Sequence, residues 1–410
     1  MAFTRRLLVH DTPSAHRRHP LLTLGSLALL AGMGCSDADA GTGSGGDDTG
    51  GAASLTGGAP GTTTGGVGNT GGFSTGGMGN LGGAGPGSGG IVGTGGDLGT
   101  GGDTQEEVTC PLPTEFRWTS SGPLAEPAQN GWYALKDFSV TRYGEKYIVY
   151  GTVANGAWNG FFSTFGSFDE WKTAEQHYHG GHVAPTIFYF TPKDVWVLAY
   201  QWGFQYKTTK TPDVWNSWSS GSSLMNYNPD PTEGRGTGPI DQTIICDDTD
   251  CYLFFNDDAG GVYRASMPIE NFPGQFEGAQ RIMDQPTSII FEGIQVYSIK
   301  GSDKYLMIIE NNGRRAFRAW TADRLDGEWT PLPGADTTEK PFAGEHNVTW
   351  PDGKWTTDIS HGDIVRENPS EKMEIDPCHL QMVYQGKQDV PNTPYDQLAY
   401  RPGLLTLVRD

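Results

Sequence analysis

Three carboxylates in this chain sit where carboxylates are costly. Asp137 lies between Leu135 and Phe138 in LKDF, Asp241 follows Pro239 and Ile240 in GPIDQ, and Glu292 follows Ile290 and Phe291 in FEG. A charge in an apolar run carries a desolvation penalty that a surface turn would spare it. Gathered at one buried spot, three carboxylates cannot all ionise with equal ease, so their pKa values must separate. Such a separation suits hydrolysis of a glycosidic bond, in which a neutral acid protonates the leaving oxygen while an ionised base activates water. His361 in ISHGD reads either as a hydrogen-bonded core imidazole or as a metal ligand in a channel. A single histidine without further ligands at a recognisable spacing is poor evidence for zinc. Trp202 in YQWG, Tyr395 in PYDQ and Tyr400 in YRPG are candidate sugar platforms, with core packing as the alternative for each.

Bringing these residues together requires a repeating scaffold, and the sequence contains one. Five stretches read as the same hairpin: LKDFSVTR…YIVYGT from Leu135, APTIFYF…VWVLAYQ from Ala184, GPIDQTII…YLFFND from Gly238, FEGIQVYSI…YLMIIE from Phe291 and SHGDIVR…LQMVYQG from Ser360. Their second runs recur every 50 to 75 residues or so, near the period of a four-stranded propeller blade. Long amphipathic helical periodicity is essentially missing after Cys110; short β-branched and aromatic runs between Gly, Pro, Asn and Asp take its place. The fold class is therefore all-β, a five-bladed β-propeller over residues 109–410. The hairpin entrances carry Asp137, Pro185, Asp241, Glu292 and His361, which the repeat predicts to be equivalent positions facing one another across the axis.

Composition divides the rest of the 410 residues. Twenty-nine of the 60 glycines fall between Gly41 and Thr104, in a tract with too little apolar surface to offset the entropy of ordering. Residues 36–108 are expected to be a disordered Gly/Thr/Ser-rich linker. Residues 1–35 read as a signal segment: Arg5, Arg6, Arg17 and Arg18 precede an apolar stretch, Leu21 to Met33, too short to span a bilayer. Cys35 follows small residues, which points to lipidation there and to a secreted or cell-surface lipoprotein, with a membrane met only through that anchor. Assigning Cys35 to lipid leaves four cysteines for disulfides. Cys246 and Cys251 flank the short turn DDTD, and Cys110 and Cys378 lie near the two ends of the globular region; buried free thiols are the alternative. A formal net charge of −20 disfavours nucleic acid as a partner and suits an uncharged polysaccharide.

From Cys110 to the C-terminus the sequence resembles glycoside hydrolase family 62, the α-L-arabinofuranosidases acting on arabinoxylan. The resemblance is carried by GWYALKDFSV, VAPTIFYFTPKDVWVLAYQWG, GTGPIDQTII, FEGIQVY, WTTDISHGDIVR, DPCHLQMVYQG and PYDQLAYRPGLLTL, among others. It implies a five-bladed propeller, an inverting exo mechanism and a monomer releasing single arabinofuranose branches. By motif, Asp137 would be the general base, Glu292 the general acid, and Asp241 the residue that orients the sugar and tunes the acid. Inversion would set base and acid ~6.5–9.5 Å apart. Lys136, Gln295, Tyr395 and Arg401 would build the arabinose pocket and Trp202 would meet the xylan chain. His361 would stand beside a structural calcium whose remaining ligands are water or oxygen atoms. Three features depart from the family pattern: the Cys246/Cys251 pair, the HYHGGHVAP segment on the rim and Asp396 after Tyr395, where some relatives carry Asn. A family 43-like β-xylosidase or arabinanase, and a non-catalytic xylan-binding propeller, are the competing readings.

Overall fold

The computed structural model describes residues 109–388 and 390–409. The signal segment, Cys35 and the linker expected over 36–108 lie outside the described residues. The chain divides into two units, 1–97 and 98–410, and the described residues all belong to the second. Within them the secondary structure is strand, with six short 3-10 turns as the only helical segments, and no helix is long and apolar enough to cross a membrane.

Five mainly antiparallel sheets form the blades, each blade running outward from an inner strand; the short strands Val348–Thr349 and Glu374–Ile375 add parallel pairs to two of them. Four inner strands open their blades in chain order: Ala134–Tyr143, Val183–Phe190, Ile240–Cys246 and Glu292–Ile299. The fifth inner strand, Ser360–Ile364, is followed outward by Gln381–Gly386 and Arg401–Leu407. The first strand among the described residues, Trp118–Ser120, then pairs antiparallel with Arg401–Leu407 and supplies this blade's fourth strand. Each inner strand packs against the next, and the fifth packs against the first. The ring is therefore closed, as the repeat predicts.

Two covalent links expected from the cysteine positions are present, Cys110–Cys378 and Cys246–Cys251. The former ties the start of the globular region to the turn before the second strand of the fifth blade. Burial is nearly continuous along the inner strands, and all seven residues of Ile240–Cys246 and all five of Ser360–Ile364 are buried. That follows from packing between neighbouring blades on both faces, which removes the in/out alternation of a one-sided sheet.

A buried ion pair joins four of the blades. Arg366 Nη2 donates to Asp363 Oδ2 at 2.9 Å, with both side chains fully inaccessible. Asp363 also accepts from Val140 N (2.8 Å) in the first blade and Tyr297 Oη (2.7 Å) in the fourth. Arg366 Nη1 donates to Ile187 O (3.1 Å) in the second. A buried pair is tolerable when most of its remaining donors and acceptors are satisfied in this way, and here Arg366 Nε is the one left without a partner.

Every inner strand contains a one-residue bulge near its entrance. The pairs Lys136↔Thr152, Val183↔Gln201, Ile240↔Asn256, Glu292↔Glu310 and Ser360↔Gln385 are in register, and each is followed by a slip of one residue. Asp137, Ala184, Asp241 and Gly293 take left-handed backbone at the slip, with φ of 52°, 42°, 53° and 68°. This corrects the expected equivalence of the five entrances. Asp137, Asp241 and His361 follow the in-register pair directly, but Pro185 stands one place later and Glu292 one place earlier. A bulge sets two residues against one, so the apolar pattern repeats while the ionisable residue is free to shift by one position.

Candidate active site

The bulges leave backbone amides without ladder partners, and the second strands supply them. Gln385 Oε1 accepts from Asp137 N (2.8 Å), Thr152 Oγ1 from Ala184 N (2.8 Å) and Gln201 Oε1 from Asp241 N (2.7 Å). Asn256 Oδ1 accepts from Ile294 N (3.2 Å) and Glu310 Oε2 from His361 N (2.8 Å). Each side chain comes from the preceding blade, so the bonds form a closed belt around the axis. Left-handed backbone at a residue with a side chain is disfavoured, although Asp tolerates it better than most. It persists where the surroundings over-determine it, commonly at functional sites.

At the mouth of the belt is a cleft of about 330 Å³ lined by Lys136, Asp137, Asp241, Glu292, Arg315 and His361, with Trp158, Trp202 and Tyr395 among its walls. The three carboxylates singled out by sequence therefore do converge. His361 Nδ1 lies between two of them, 3.4 Å from Asp137 Oδ1 and 3.7 Å from Asp241 Oδ2. Asp241 Oδ2 also accepts from Gly293 N at 2.8 Å, which fixes its carboxylate against the neighbouring bulge. Glu292 Oε1 accepts from Arg315 Nη1 at 2.8 Å. The same nitrogen reaches Glu310 Oε1, which also accepts from Ser360 Oγ at 2.9 Å.

The electrostatics separate the groups. Burial pushes Asp241 up to about 6; His361 opposes this, and the charges of Glu292 and Asp137 add to it. Burial would depress His361, but Asp241, Asp137, Glu310 and Glu292 outweigh it and hold the imidazole above its ordinary value. Burial likewise pushes Glu310 up to about 7 against the pull of Arg315. Lys136 is desolvated too, yet Asp137, Tyr395 and Glu292 keep it charged well above the usual lysine range. Its ammonium sits in an aromatic cage, 4.9 Å from the Trp158 ring, 5.1 Å from Tyr395 and 5.4 Å from Tyr400, and donates to Tyr395 Oη at 3.3 Å. A fixed cation, a buried protonatable acid and an open cleft are what charge development at a glycosidic oxygen calls for.

The remaining expected residues divide. Trp202 and Tyr395 present 53% and 55% of their surface at the rim, as platforms must. Tyr400 is buried in the lysine cage. Gln295 is buried with its side-chain oxygen unpartnered, and it does not line the cleft. Arg401 also lies off the lining; it is bound to Glu126 and to the carbonyls of Tyr133 and Tyr400. In the rim segment HYHGGHV, His179 and His182 are buried with ring centroids 3.9 Å apart. Burial pushes them down to about 3 and about 4. Sequence reasoning missed Trp158, Arg315, Glu310 and the cleft residue Asp258. It also missed the belt, although each second-strand block ends in a polar residue: Thr152, Gln201, Asn256, Glu310 and the penultimate Gln385.

Comparison with known proteins agrees with this architecture. The profile of glycosyl hydrolase family 62 matches residues 117–406. An α-L-arabinofuranosidase C of Cellvibrio japonicus is 40% identical over 314 residues, which is 73% of this chain and 48% of the relative. The chain thus spans about half the length of that relative. The catalytic domain of a family 62 α-L-arabinofuranosidase from Coprinopsis cinerea superposes with a TM-score of 0.68 at 33% identity, covering 72% of this chain and 98% of that one. An α-L-arabinofuranosidase from Podospora anserina, crystallised with cellotriose, does so with a TM-score of 0.68 at 30% identity, covering 73% and 98%.

Proposed function

The chain belongs to glycosyl hydrolase family 62, and on that premise we propose that it is an exo-acting, inverting α-L-arabinofuranosidase that releases single arabinofuranose branches from arabinoxylan. The observation that carries the reading is the convergence of Asp137, Asp241 and Glu292 in one cleft. Asp137 is the general base that takes a proton from water, and Glu292 is the general acid that gives one to the departing xylan oxygen. Asp241, held by Gly293 N, orients the sugar and raises the proton affinity of its neighbours while ionised. Lys136 and Tyr395 bound the arabinose end of the cleft, and Trp202 offers its exposed face to the xylan chain. The names of the relatives support this substrate class, as does a family 62 hydrolase crystallised with xylotriose, 30% identical to this chain with a TM-score of 0.67.

A calcium beside His361 fits the residues present only as a hydrated ion. Among the described residues no group of three or more His, Cys, Asp or Glu is arranged to hold a metal. The inner strands of the third and fourth blades do carry buried oxygens without partners, on Gln242, Thr243 and Gln295, which could hold its water shell. When bound, such an ion would supply positive charge to the axis. Adding a calcium chelator is expected to lower the melting temperature, and an unchanged melting temperature would remove the ion from the account. The export reading rests on the basic residues, apolar stretch and Cys35 of the N-terminus. Metabolic labelling with a radioactive fatty acid tests it, and label surviving Cys35→Ala would refute lipidation there.

Product analysis on arabinoxylan tests the activity directly. Free arabinose alone is expected; xylose, or arabino-oligosaccharides without arabinose, would contradict the proposal. Glu292→Gln and Asp137→Asn are each expected to lower kcat on the polymer by at least about 100-fold, and retained activity in either would overturn that residue's role.

A further inference from the structure

Glu310 breaks the pattern of the belt. At the four equivalent second-strand ends the capping side chains are Thr152, Gln201, Asn256 and Gln385, all neutral. Only the fourth blade uses a carboxylate, and that carboxylate is fully buried. The amide that Glu310 caps, His361 N, needs an acceptor and not a charge; an amide side chain serves the same purpose in the first and third blades. The charge must answer to something else, and the cation bonded to that carboxylate is Arg315. Arg315, with 16% of its side chain exposed, places Nη1 against both Glu310 Oε1 and Glu292 Oε1. Its guanidinium lies 4.7 Å from the centroid of the Phe291 ring. A terminal guanidinium nitrogen carries two N–H groups, so one can serve each carboxylate.

We propose that Arg315 and Glu310 form a strut that sets the position of Glu292: Arg315 is a positioning residue for the acid, and Glu310 positions Arg315. The strut has this meaning only with Glu292 as the general acid, and so rests on that reading. A general acid must bring one particular oxygen within about 2.6–3.2 Å of the leaving atom, and a small misplacement forfeits much of the rate. Glutamate has three side-chain torsions to restrain. Arg315 can only donate, so Oε1 of Glu292 is committed as an acceptor. The acid's proton is then carried on Oε2, the oxygen left to meet the substrate. Glu310 supplies the counter-charge that keeps Arg315 at this station without requiring Glu292 to remain ionised. Phe291, next to Glu292 in sequence, braces the face of the guanidinium.

Two substrates separate positioning from a merely structural role. Arabinoxylan has a poor leaving group that needs the acid, whereas 4-nitrophenyl α-L-arabinofuranoside has a leaving group that departs without protonation. Glu310→Gln keeps an acceptor for His361 N, and Arg315→Met keeps length without charge. For both variants we expect kcat on arabinoxylan to fall on the order of 100-fold with KM nearly unchanged, while turnover of the nitrophenyl substrate changes little. Arg315→Lys should recover part of the loss. Equal losses on both substrates in variants that melt like the parent, or no loss on arabinoxylan, would overturn the strut. Glu292→Gln is the control. If it loses both substrates equally, the acid assignment itself has failed, and the two failures remain distinguishable.

Discussion

Asp241 stands in the cleft against the pull of its own burial. Its pKa of about 6 in the folded protein lies above the ordinary aspartate value of 3.8, so folding favours the protonated form. That contribution to stability is whole below about pH 4 and is lost as pH rises through 6. The difference between the two values corresponds to about 3 kcal/mol. Asp241→Asn cannot ionise and keeps an acceptor for Gly293 N, so by calorimetry it should melt above the parent at pH 8, with the gap closed by pH 4. The same substitution removes a negative charge beside Glu292. The basic limb of the activity profile, where the acid loses its proton, should therefore move to lower pH in whatever activity survives; a limb moved upward would contradict the tuning role. Asp137, Asp241 and Glu292 were legible in the sequence because a carboxylate inside LKDF, PIDQ or FEG has no bland place to go. Arg315 and Glu310 were not. NNGRRAF reads as a polar turn and YLMIIE as a strand with a charged end, and only the fold shows that the two meet.

The bulged hairpin is the element that turns a repeat into a site. It places two successive residues, such as Lys136 with Asp137, on the lining of one cleft, which a regular strand would not do. Its weak point is the amide left outside the ladder. Gln201→Leu removes the acceptor for Asp241 N, and a buried unpaired donor costs about 1–3 kcal/mol. Denaturant unfolding should show that loss, and kcat should fall with it because the displaced residue is Asp241. Leu at this position with unchanged stability and kcat would mean that the belt does not hold the bulge. The five-hairpin period was readable because each second run is a compact apolar block. The register was not, because a bulge changes which residue opposes which without changing the apolar pattern. That is why Glu292 falls one place ahead of Asp137 and Asp241 when the blades are aligned by structure.

At the scale of the whole molecule, ring closure decides whether the carboxylates face each other at all. Three devices close the ring: the strand Trp118–Ser120 in the fifth blade, the Cys110–Cys378 bond and the Asp363–Arg366 pair that gathers four blades. The disulfide links cysteines 268 residues apart, for which the chain-entropy model gives about 5.6 kcal/mol. Cys110→Ala with Cys378→Ala should lower the melting temperature markedly, whereas Cys246→Ala with Cys251→Ala, which opens a separation of 5 residues, should lower it less. The reverse order would show that closure at Cys110 is not what steadies the ring. Arg366→Met strands the buried Asp363 and should destabilise by about 3–5 kcal/mol. The cysteine pairing was legible from position alone. The ion pair, though present in SHGDIVR, was not, since its partners come from three other blades.

The proposed reaction is single-displacement release of arabinose by a base and an acid on opposite sides of the sugar. Proton NMR of arabinoxylan during the first minutes of digestion measures it most directly. Inversion predicts that β-L-arabinofuranose appears first and that the α anomer grows in only by mutarotation. Initial release of α-L-arabinofuranose, or of xylose in place of arabinose, would contradict the account.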